Sequence, residues 1–372
     1  MALIVMASAA GAPGVTSAAV GLAMTWTQSV IMVDADPGAH QAVLAGYLRG
    51  QVPTGKGLQR VAEAHRDRRP LAEAVSDETI PLADESAAAT TGSATSSARS
   101  DGTSRRLLPG FARPANAALF GPVWPDLADT FVGYEQAGID VLVDVGRLGG
   151  DGVPQALVDR ADLVLLVTRS NLRSIAAARG CCLRLREQSR LTGNESNLGL
   201  ILIGENQPYG RREIANLLSI PVVSVIADDV ESAAVFSDGA RRSRKFGRSP
   251  LARSLHRATE EIGSQIRRRR ARLGLDEPQH EPALEPLSLE IPGDQPAPGQ
   301  SAVPPAPTGA AASQTAPSRT VTSQTGPSQA GPSQSGSPQT GPSQPATSGA
   351  PAASAMNAWI RAGNGSDGER HG

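Results

Sequence analysis

The apolar residues of this chain fall into short continuous runs, separated by segments with helical periodicity. Seven runs have the length of a strand, at 2–8, 30–35, 106–109, 139–145, 162–168, 198–203 and 221–227. Helical patterns lie between them at 15–27, 38–48, 124–137, 153–160, 171–190 and 210–218. Runs such as VLVDV and LVLLV are apolar at consecutive positions, which indicates strands covered on both faces. The pattern therefore predicts an α/β fold, a doubly wound and mostly parallel sheet with its ligand site at the carboxyl ends of the strands.

One more helix is predicted at 250–272. Ser249 is placed to cap it, and Pro250 falls in its first turn. Its apolar positions form one stripe, made of Leu251, Leu255, Ala258, Ile262 and Ile266. We expect this stripe to pack on the sheet domain and the opposite, basic face to meet solvent.

Composition divides the chain into three parts. Between Pro278 and Pro351 lie 16 of the 29 prolines, and this stretch is too poor in apolar residues to offset the entropy of ordering it. We therefore predict a folded domain over 1–275 and a disordered tail rich in Pro, Ser, Gln and Gly over 276–355. A low-complexity insertion at 84–104 interrupts the domain. The terminal segment 356–372 carries Trp359 and Ile360, which suit a short docking motif for a partner.

Cysteine usage and the pattern of the first 33 residues favour a cytoplasmic protein. The net charge of −1 does not predict a polyanion binder by bulk charge. Cys181 and Cys182 are adjacent in a predicted helix, which suits two free thiols in a reducing compartment. The first 33 residues are uncharged, but they lack a basic n-region, and the cluster of Gly11, Pro13 and Gly14 breaks the apolar run well short of a membrane span.

The sequence GAPGVTS at 11–17 follows the first predicted strand and has the layout of a phosphate-binding loop. In a loop of the form G-x-x-x-x-G-K-[ST], backbone N–H groups cradle phosphates, the lysine reaches the β- and γ-phosphates, and the hydroxyl holds Mg²⁺. Here Val15 replaces the lysine, and the only lysines of the chain are Lys56 and Lys245. The candidate nucleotide-binding residues are Gly11, Ala12, Gly14, Val15, Thr16 and Ser17. The alternative is a tight turn between strand and helix that binds nothing.

Three acidic residues follow or end predicted strands. Asp34 and Asp36 stand two residues apart, so on an extended strand they point to the same side, as a Mg²⁺ site requires. Asp144 ends the run VLVDV, the arrangement of a Walker B carboxylate. The candidate metal ligands are Thr16, Asp34 and Asp144. Asp36 has the alternative role of helix cap in an Asp-Pro-Gly turn, and Arg147 is either a substitute positive charge or a solvated loop residue.

The order of five motifs resembles the ParA/MinD-like P-loop ATPases, in particular an actinobacterial branch whose loop lacks the lysine. These motifs are GAPGVTS, DADPGAH, VLVDVGR, ADLVLLVTRSN, and LGLILIG followed by LSIPVVSVIADD, which together cover roughly 1–75 and 105–257. The resemblance implies a dimerising, Mg-ATP-dependent switch that acts in chromosome partition or in positioning a division site or a pilus. It also implies that Asp36 is the catalytic residue that positions the attacking water.

The chain departs from that family at the residues that hold the nucleotide. Ala10 stands where the deviant loop carries its signature lysine, and Ile203 and Gly204 occupy the place of an adenine-contacting asparagine, with Asn206 displaced. The lost lysine predicts weak binding of ATP and Mg²⁺ and slow hydrolysis. We therefore expect a homodimeric pseudo-ATPase that works as a switch or adaptor with an unidentified protein partner. The alternatives are an active partition ATPase and a CpaE-like positioning factor for pilus or secretion assembly.

A basic run lies near the end of the predicted domain. Between Arg241 and Arg272 there are twelve Lys or Arg residues and only two acids. Such a run is able to neutralise DNA phosphates without reading sequence, because no base-reading motif or series of interleaved aromatic residues accompanies it. The candidate DNA-binding residues are Arg241, Arg242, Arg244, Lys245, Arg267, Arg268, Arg269 and Arg270. The alternatives are an ordinary solvated helix face and, less favoured, a membrane surface.

Overall fold

The computed structural model describes residues 2–9, 14–38, 41–51, 55–82, 103–149 and 152–275. Most of the predicted insertion at 84–104 lies outside these residues, and so do the predicted tail 276–355 and the terminal segment 356–372. Within the described ranges, no helix is long and apolar enough to cross a membrane.

The described residues form one eight-stranded sheet. Its strands are β1 (Leu3–Ser8), β2 (Ser29–Asp34), β3 (Ile80–Pro81), β4 (Arg105–Leu108), β5 (Ile139–Arg147), β6 (Leu163–Arg169), β7 (Leu198–Ile203) and β8 (Val222–Ile226). Their order is β3-β4-β2-β5-β1-β6-β7-β8. All neighbours pair in parallel except β3, which runs antiparallel to β4. The predicted doubly wound, mostly parallel α/β fold is confirmed.

Ten α-helices lie between or after these strands within the described ranges, and the last two follow β8. They are α1 (Val15–Thr25), α2 (Leu58–Arg66), α3 (Leu71–Glu78), α4 (Pro114–Ala118), α5 (Trp124–Gly133), α6 (Gln155–Arg160), α7 (Leu172–Leu191), α8 (Arg211–Leu218), α9 (Val230–Ser237) and α10 (Pro250–Arg272). Short 3₁₀ turns lie at Gly121–Val123, Tyr134–Ala137, Glu195–Asn197 and Phe246–Arg248.

Each face of the sheet carries its own core. On one face α1 and α10 bury side chains such as Leu22, Leu255 and Ile262 against the strands. On the other face the core contains Phe131 of α5 and Ile175 of α7. The stripe predicted on α10 is buried throughout, at Leu251, Leu255, Ala258, Ile262 and Ile266. Covering both faces explains why the central strands are apolar at consecutive positions.

The helix predicted at 38–48 is shorter than expected in its described part and differs in type. Residues Val43–Tyr47 form a single π-helical turn instead. At Gly46 an added Cβ would overlap the carbonyl oxygen of Ser237, so the backbone of this turn lies directly against the end of α9. The helices α2, α3, α4 and α9 and the two-residue strand β3 were not predicted, because short or polar segments give a weak periodic signal.

Candidate nucleotide and magnesium site

Three carboxyl groups meet at the carboxyl edge of the sheet. Asp34 is the last residue of β2, and its register partner on β5 is Asp144. Both are buried, at 4% and 0% exposure. Asp36 follows in the next turn, where its Oδ1 accepts a 2.7 Å hydrogen bond from the N–H of Gly38. The cluster forms because β2 and β5 are parallel neighbours that end at the same edge.

Two glycines make room for these carboxyls. A Cβ on Gly146, whose φ is +63°, would overlap the carboxyl of Asp36. A Cβ on Gly110, in the turn after β4, would overlap the carbonyl oxygen of Asp34 and crowd its carboxyl. The φ of Gly146 is one that L side chains rarely adopt, so glycine is required there for its backbone as well as for the close approach.

Burial and mutual repulsion raise the pKa of two of the three carboxyls. Burial, and then the charge of Asp144, raise the pKa of Asp34 to about 7. Burial also raises the pKa of Asp144 to about 6, although the Thr16 hydroxyl and the N–H of Gly146 act in the opposite direction. Two such carboxyls side by side form a site that gains by binding a cation.

Asp144 has an unsatisfied oxygen. Its Oδ1 accepts a 2.9 Å hydrogen bond from the N–H of Gly146, whereas its buried Oδ2 has no hydrogen-bond partner within the described residues. The hydroxyl of Thr16 is close enough to lower the pKa of this carboxyl, but it does not complete a hydrogen bond to Oδ2. An unpaired carboxylate oxygen is costly to bury, and Mg²⁺ with its waters would satisfy it.

The residues present therefore fit Mg²⁺. Among the described residues, no group of three or more His, Cys, Asp or Glu forms a ligand cluster. Mg²⁺ does not need one, because it is usually held by one or two carboxylates together with waters and phosphate oxygens. Asp144, Asp34 and Thr16 are the groups placed to hold the ion, and the ion would neutralise phosphate charge.

The phosphate-binding loop is described only from its last glycine. Gly14 has a left-handed backbone, with φ 92°, and caps the start of α1. Its carbonyl accepts a 2.8 Å hydrogen bond from the N–H of Ala18. Thr16 and Ser17 are half-buried in the first turn of α1. The other predicted loop residues, Gly11 and Ala12, lie outside the described residues.

Val15 is 7% exposed and packs in the core formed by α1 and the sheet. The position that carries the lysine in an ordinary phosphate-binding loop is therefore filled by a core side chain. No positive charge reaches the phosphates from this position.

A second hollow opens at the carboxyl ends of β7 and β8. It has a volume of about 650 Å³, and its polar lining includes Glu205, Gln207, Asp228, Arg253 and Arg257. Asn206 does not line it. Sequence reasoning missed this hollow, because its residues come from three separate segments that carry no motif.

The predicted DNA-binding residues form two separate groups. Arg241, Arg244, Lys245 and Arg248 are exposed in the loop before α10, and we call this group the loop patch. Arg267, Arg268 and Arg272 are exposed at the other end of the helix, and we call them the end patch. The helix α10 that leads from one patch to the other has 23 residues, which corresponds to about 35 Å at its usual rise. Arg253 and Arg257 are also exposed on the helix between the two patches.

Arg242 belongs to neither patch. Its guanidinium donates a 3.3 Å hydrogen bond to the hydroxyl of Tyr47 and lies 5.4 Å from the centre of the Phe246 ring. It therefore ties the basic loop to the π-helical turn that follows β2, and it offers less free charge than its neighbours.

Arg269 and Arg270 bind to other side chains of the protein. This corrects the prediction that all four arginines at 267–270 are available to bind DNA. Arg270 donates to both oxygens of Asp162, at 2.8 and 3.0 Å, and to Glu135 at 2.5 Å. Arg269 is 7% exposed and donates a 2.6 Å hydrogen bond to Asn194. Asp162, Glu135 and Asn194 all lie at the amino edge of the sheet, so these arginines fix the end of α10 there.

Comparison with solved structures finds the same fold in other proteins. The structure is similar to a ParA family ATPase from Chlorobium tepidum TLS, with a TM-score of 0.52 and 16% identity over 70% of this chain and 98% of that one. It is also similar to the MinC:MinD cell division protein complex of Aquifex aeolicus, with a TM-score of 0.50 and 14% identity over 71% of this chain and 96% of that one. The chain has the fold of the ParA/MinD ATPases.

A third similar structure is the ATP complex of a single-residue variant of Cyanothece McdA, with a TM-score of 0.50 and 16% identity over 71% of this chain and 96% of that one. At these identities the likeness concerns the fold. The fold that the sequence resemblance implied is thereby confirmed.

Sequence comparison reaches less of the chain. Two uncharacterized proteins of Mycobacterium tuberculosis, from strains CDC 1551 and H37Rv, are each 34% identical over 146 residues. The match covers 35% of this chain and 39% of each relative. No protein-family model matches the chain.

Proposed function

We propose that this chain is a ParA/MinD-like positioning or partition protein that binds a nucleotide weakly with Mg²⁺ and hydrolyses it slowly. It acts in the cytoplasm as a homodimeric switch or adaptor for a protein partner. The observation that carries the proposal is the buried, unpartnered Oδ2 of Asp144 beside Asp34 and Thr16. Such an oxygen is what a magnesium-nucleotide site requires of its Walker B carboxylate.

In this proposal each part of the carboxyl edge has one task. Backbone N–H groups at the start of α1 face the phosphates, and the dipole of the helix favours their negative charge. Asp144, Asp34 and Thr16 hold Mg²⁺. Asp36, which is half-buried beside Gly146, positions the attacking water when hydrolysis occurs. The hollow beside β7 and β8 receives the base, with Gln207 and Arg257 as polar contacts.

Slow turnover follows from the nature of phosphoryl transfer. Positioning and charge stabilisation supply nearly all of its catalysis, and Val15 supplies neither. An adaptor role is therefore favoured over an active partition ATPase, while a CpaE-like role in pilus or secretion assembly stays as the second alternative.

A nucleotide titration on the full-length protein tests this proposal. Mg-ADP and Mg-ATP binding would be measured by calorimetry and dimerisation by analytical ultracentrifugation, for the wild type and for Asp144→Asn. We expect weak binding that needs Mg²⁺ in the wild type, and loss of the magnesium requirement in the variant. Wild-type protein that binds neither nucleotide at millimolar concentration would overturn the proposal. Fast turnover would favour the active ATPase instead.

Non-specific DNA binding is a second candidate activity. It is favoured by the loop patch, whose four cations are exposed together with no acidic side chain paired to them among the described residues. This patch lies on the same side of the molecule as the nucleotide site, because α10 begins at the carboxyl edge of the sheet, beside Gly204 and Ala227.

A further inference from the structure

The proposed nucleotide site lacks the cation that its loop would normally supply. The carboxyls of Asp34, Asp36 and Asp144 meet where phosphates would bind, and Val15 is a core residue. A side-chain cation beside Mg²⁺ would add charge-assisted hydrogen bonds to the phosphate oxygens. This inference rests on the nucleotide site proposed above, and it identifies the side chain that supplies the cation.

Two arginines end the strands that border β1. Arg169 ends β6 and forms an ion pair with Asp228, so its charge is already neutralised. Arg147 ends β5 and is exposed. Among the residues that the structure describes, Arg147 has neither an ion pair nor a hydrogen bond to its side chain. Of the two, Arg147 is therefore the one available to a ligand.

A β-bulge in β5 determines where Arg147 points. On β1 and β5, Met6 is the register partner of Asp144, whereas Ser8 is the partner of Arg147. Two residues of β1 thus correspond to three of β5, so β5 contains one extra residue. A bulge of this kind reverses the side to which the following residue points.

The packing of neighbouring residues agrees with this reversal. Val143 and Val145 pack in the core on the face of the sheet opposite α1. Strict alternation would place Arg147 on that same face. Leu148 occupies that core instead, and Arg147 shares the face of its partner Ser8. That is the face of α1, the helix into which the phosphate-binding loop leads.

We propose that Arg147 is the phosphate-binding cation of this site, in place of the loop lysine. Its planar guanidinium contacts two oxygens of a nucleoside di- or triphosphate side by side, a geometry that a lysine does not offer. Gly146 and the bulge make this contact possible, because they bring the strand end back to the face of α1 after Asp144.

The test measures binding of Mg-ADP and of magnesium pyrophosphate to the full-length protein by calorimetry. The variants are Arg147→Ala and Arg147→Lys, and the matched control is Arg186→Ala, which removes an exposed arginine from α7. We expect Arg147→Ala to weaken both ligands by the same factor, about tenfold to a hundredfold. Arg147→Lys should recover part of the loss, and the control should bind as the wild type does.

The outcomes separate this inference from the proposed function. If the wild type binds Mg-ADP and Arg147→Ala binds it equally well, Arg147 is not the cation, while the nucleotide site stands. If Arg147→Ala weakens ADP but not pyrophosphate, Arg147 acts away from the phosphates and the inference fails. If the wild type binds neither ligand, the proposed function fails and this inference fails with it.

Discussion

Asp34 and Asp144 are register partners on neighbouring parallel strands, and both carboxyls are buried at the same edge of the sheet. No ion pair neutralises either one within the described part of the chain. This pair is the centre of the site, and its titration makes the first prediction.

The stability of the ligand-free protein should fall as the pH rises from about 4 to about 7. The pKa of Asp34 is raised to about 7 and that of Asp144 to about 6. The folded state therefore binds these protons more tightly than the unfolded state, so the stabilisation is complete below the ordinary carboxyl pKa and is lost through the raised values. Thermal unfolding across this range checks it. Asp34→Asn should flatten the profile, and an unchanged profile would contradict the assignment.

Restoring the lysine with Val15→Lys should tighten Mg-ADP binding by about tenfold or more, because a charge-assisted contact to phosphate returns. Val15→Met is the matched control, since it adds length without charge and should leave the affinity unchanged. Calorimetry on the full-length protein measures both variants. A gain in the methionine variant would show that volume, rather than charge, limits the site. No gain in the lysine variant would indicate a loop that does not cradle phosphate.

The loop patch should dominate DNA binding. Replacing Arg241, Arg244 and Lys245 by alanine removes three exposed cations and should reduce the salt-dependence slope by up to about 2.7, at roughly 0.9 for each phosphate. Arg267→Ala with Arg268→Ala should have a smaller effect, because the end patch lies at the far end of α10. Fluorescence anisotropy at several salt concentrations, with DNA of two unrelated sequences, checks this. Equal effects of the two sets would contradict the separation.

Arg270→Met should destabilise the fold by about 2 kcal/mol, because Asp162 and Glu135 would keep their charges without the ion pairs to Arg270. The Arg270 side chain is 16% exposed and that of Asp162 13%, so solvent relieves part of the loss. The control is Arg268→Ala, which alters an exposed residue and should stay within about 0.5 kcal/mol of the wild type. Urea unfolding measures both.

A chain that ends after Leu275 should keep the stability of the full-length protein, whereas one that ends after Ser264 should lose it. The shorter chain removes Ile266, Arg269 and Arg270, which anchor the end of α10. Urea unfolding and limited proteolysis of both chains test the predicted domain boundary. A large loss of stability in the longer chain would move that boundary towards the C-terminus.

The strands were predictable from the sequence because they are covered on both faces, and their apolar runs are continuous. β5, for instance, was predicted at 139–145 and extends to Arg147. The meeting of Asp34 and Asp144 was predictable for the same reason, since each carboxylate comes at or near the end of such a run. The parallel sheet brings them together without any further local signal.

Two features of the site were not predictable. The hydrogen bonds of Arg269 and Arg270 are made to Asn194, Asp162 and Glu135, which are 75 to 135 residues distant in sequence. The direction of Arg147 depends on a single extra residue in β5. Alternation along the strand would have assigned it to the wrong face.

The ion pairs of Arg270 with Asp162 and Glu135 also determine where the rest of the chain begins. They hold the end of α10 at the amino edge of the sheet, so Leu275 lies on the side of the domain opposite Asp144. In a dimer that joined two nucleotide edges face to face, the two C-terminal extensions would start on the outer, opposite surfaces of the assembly. If each extension bound one partner molecule, dimerisation would make that binding bivalent and raise its avidity without any new contact.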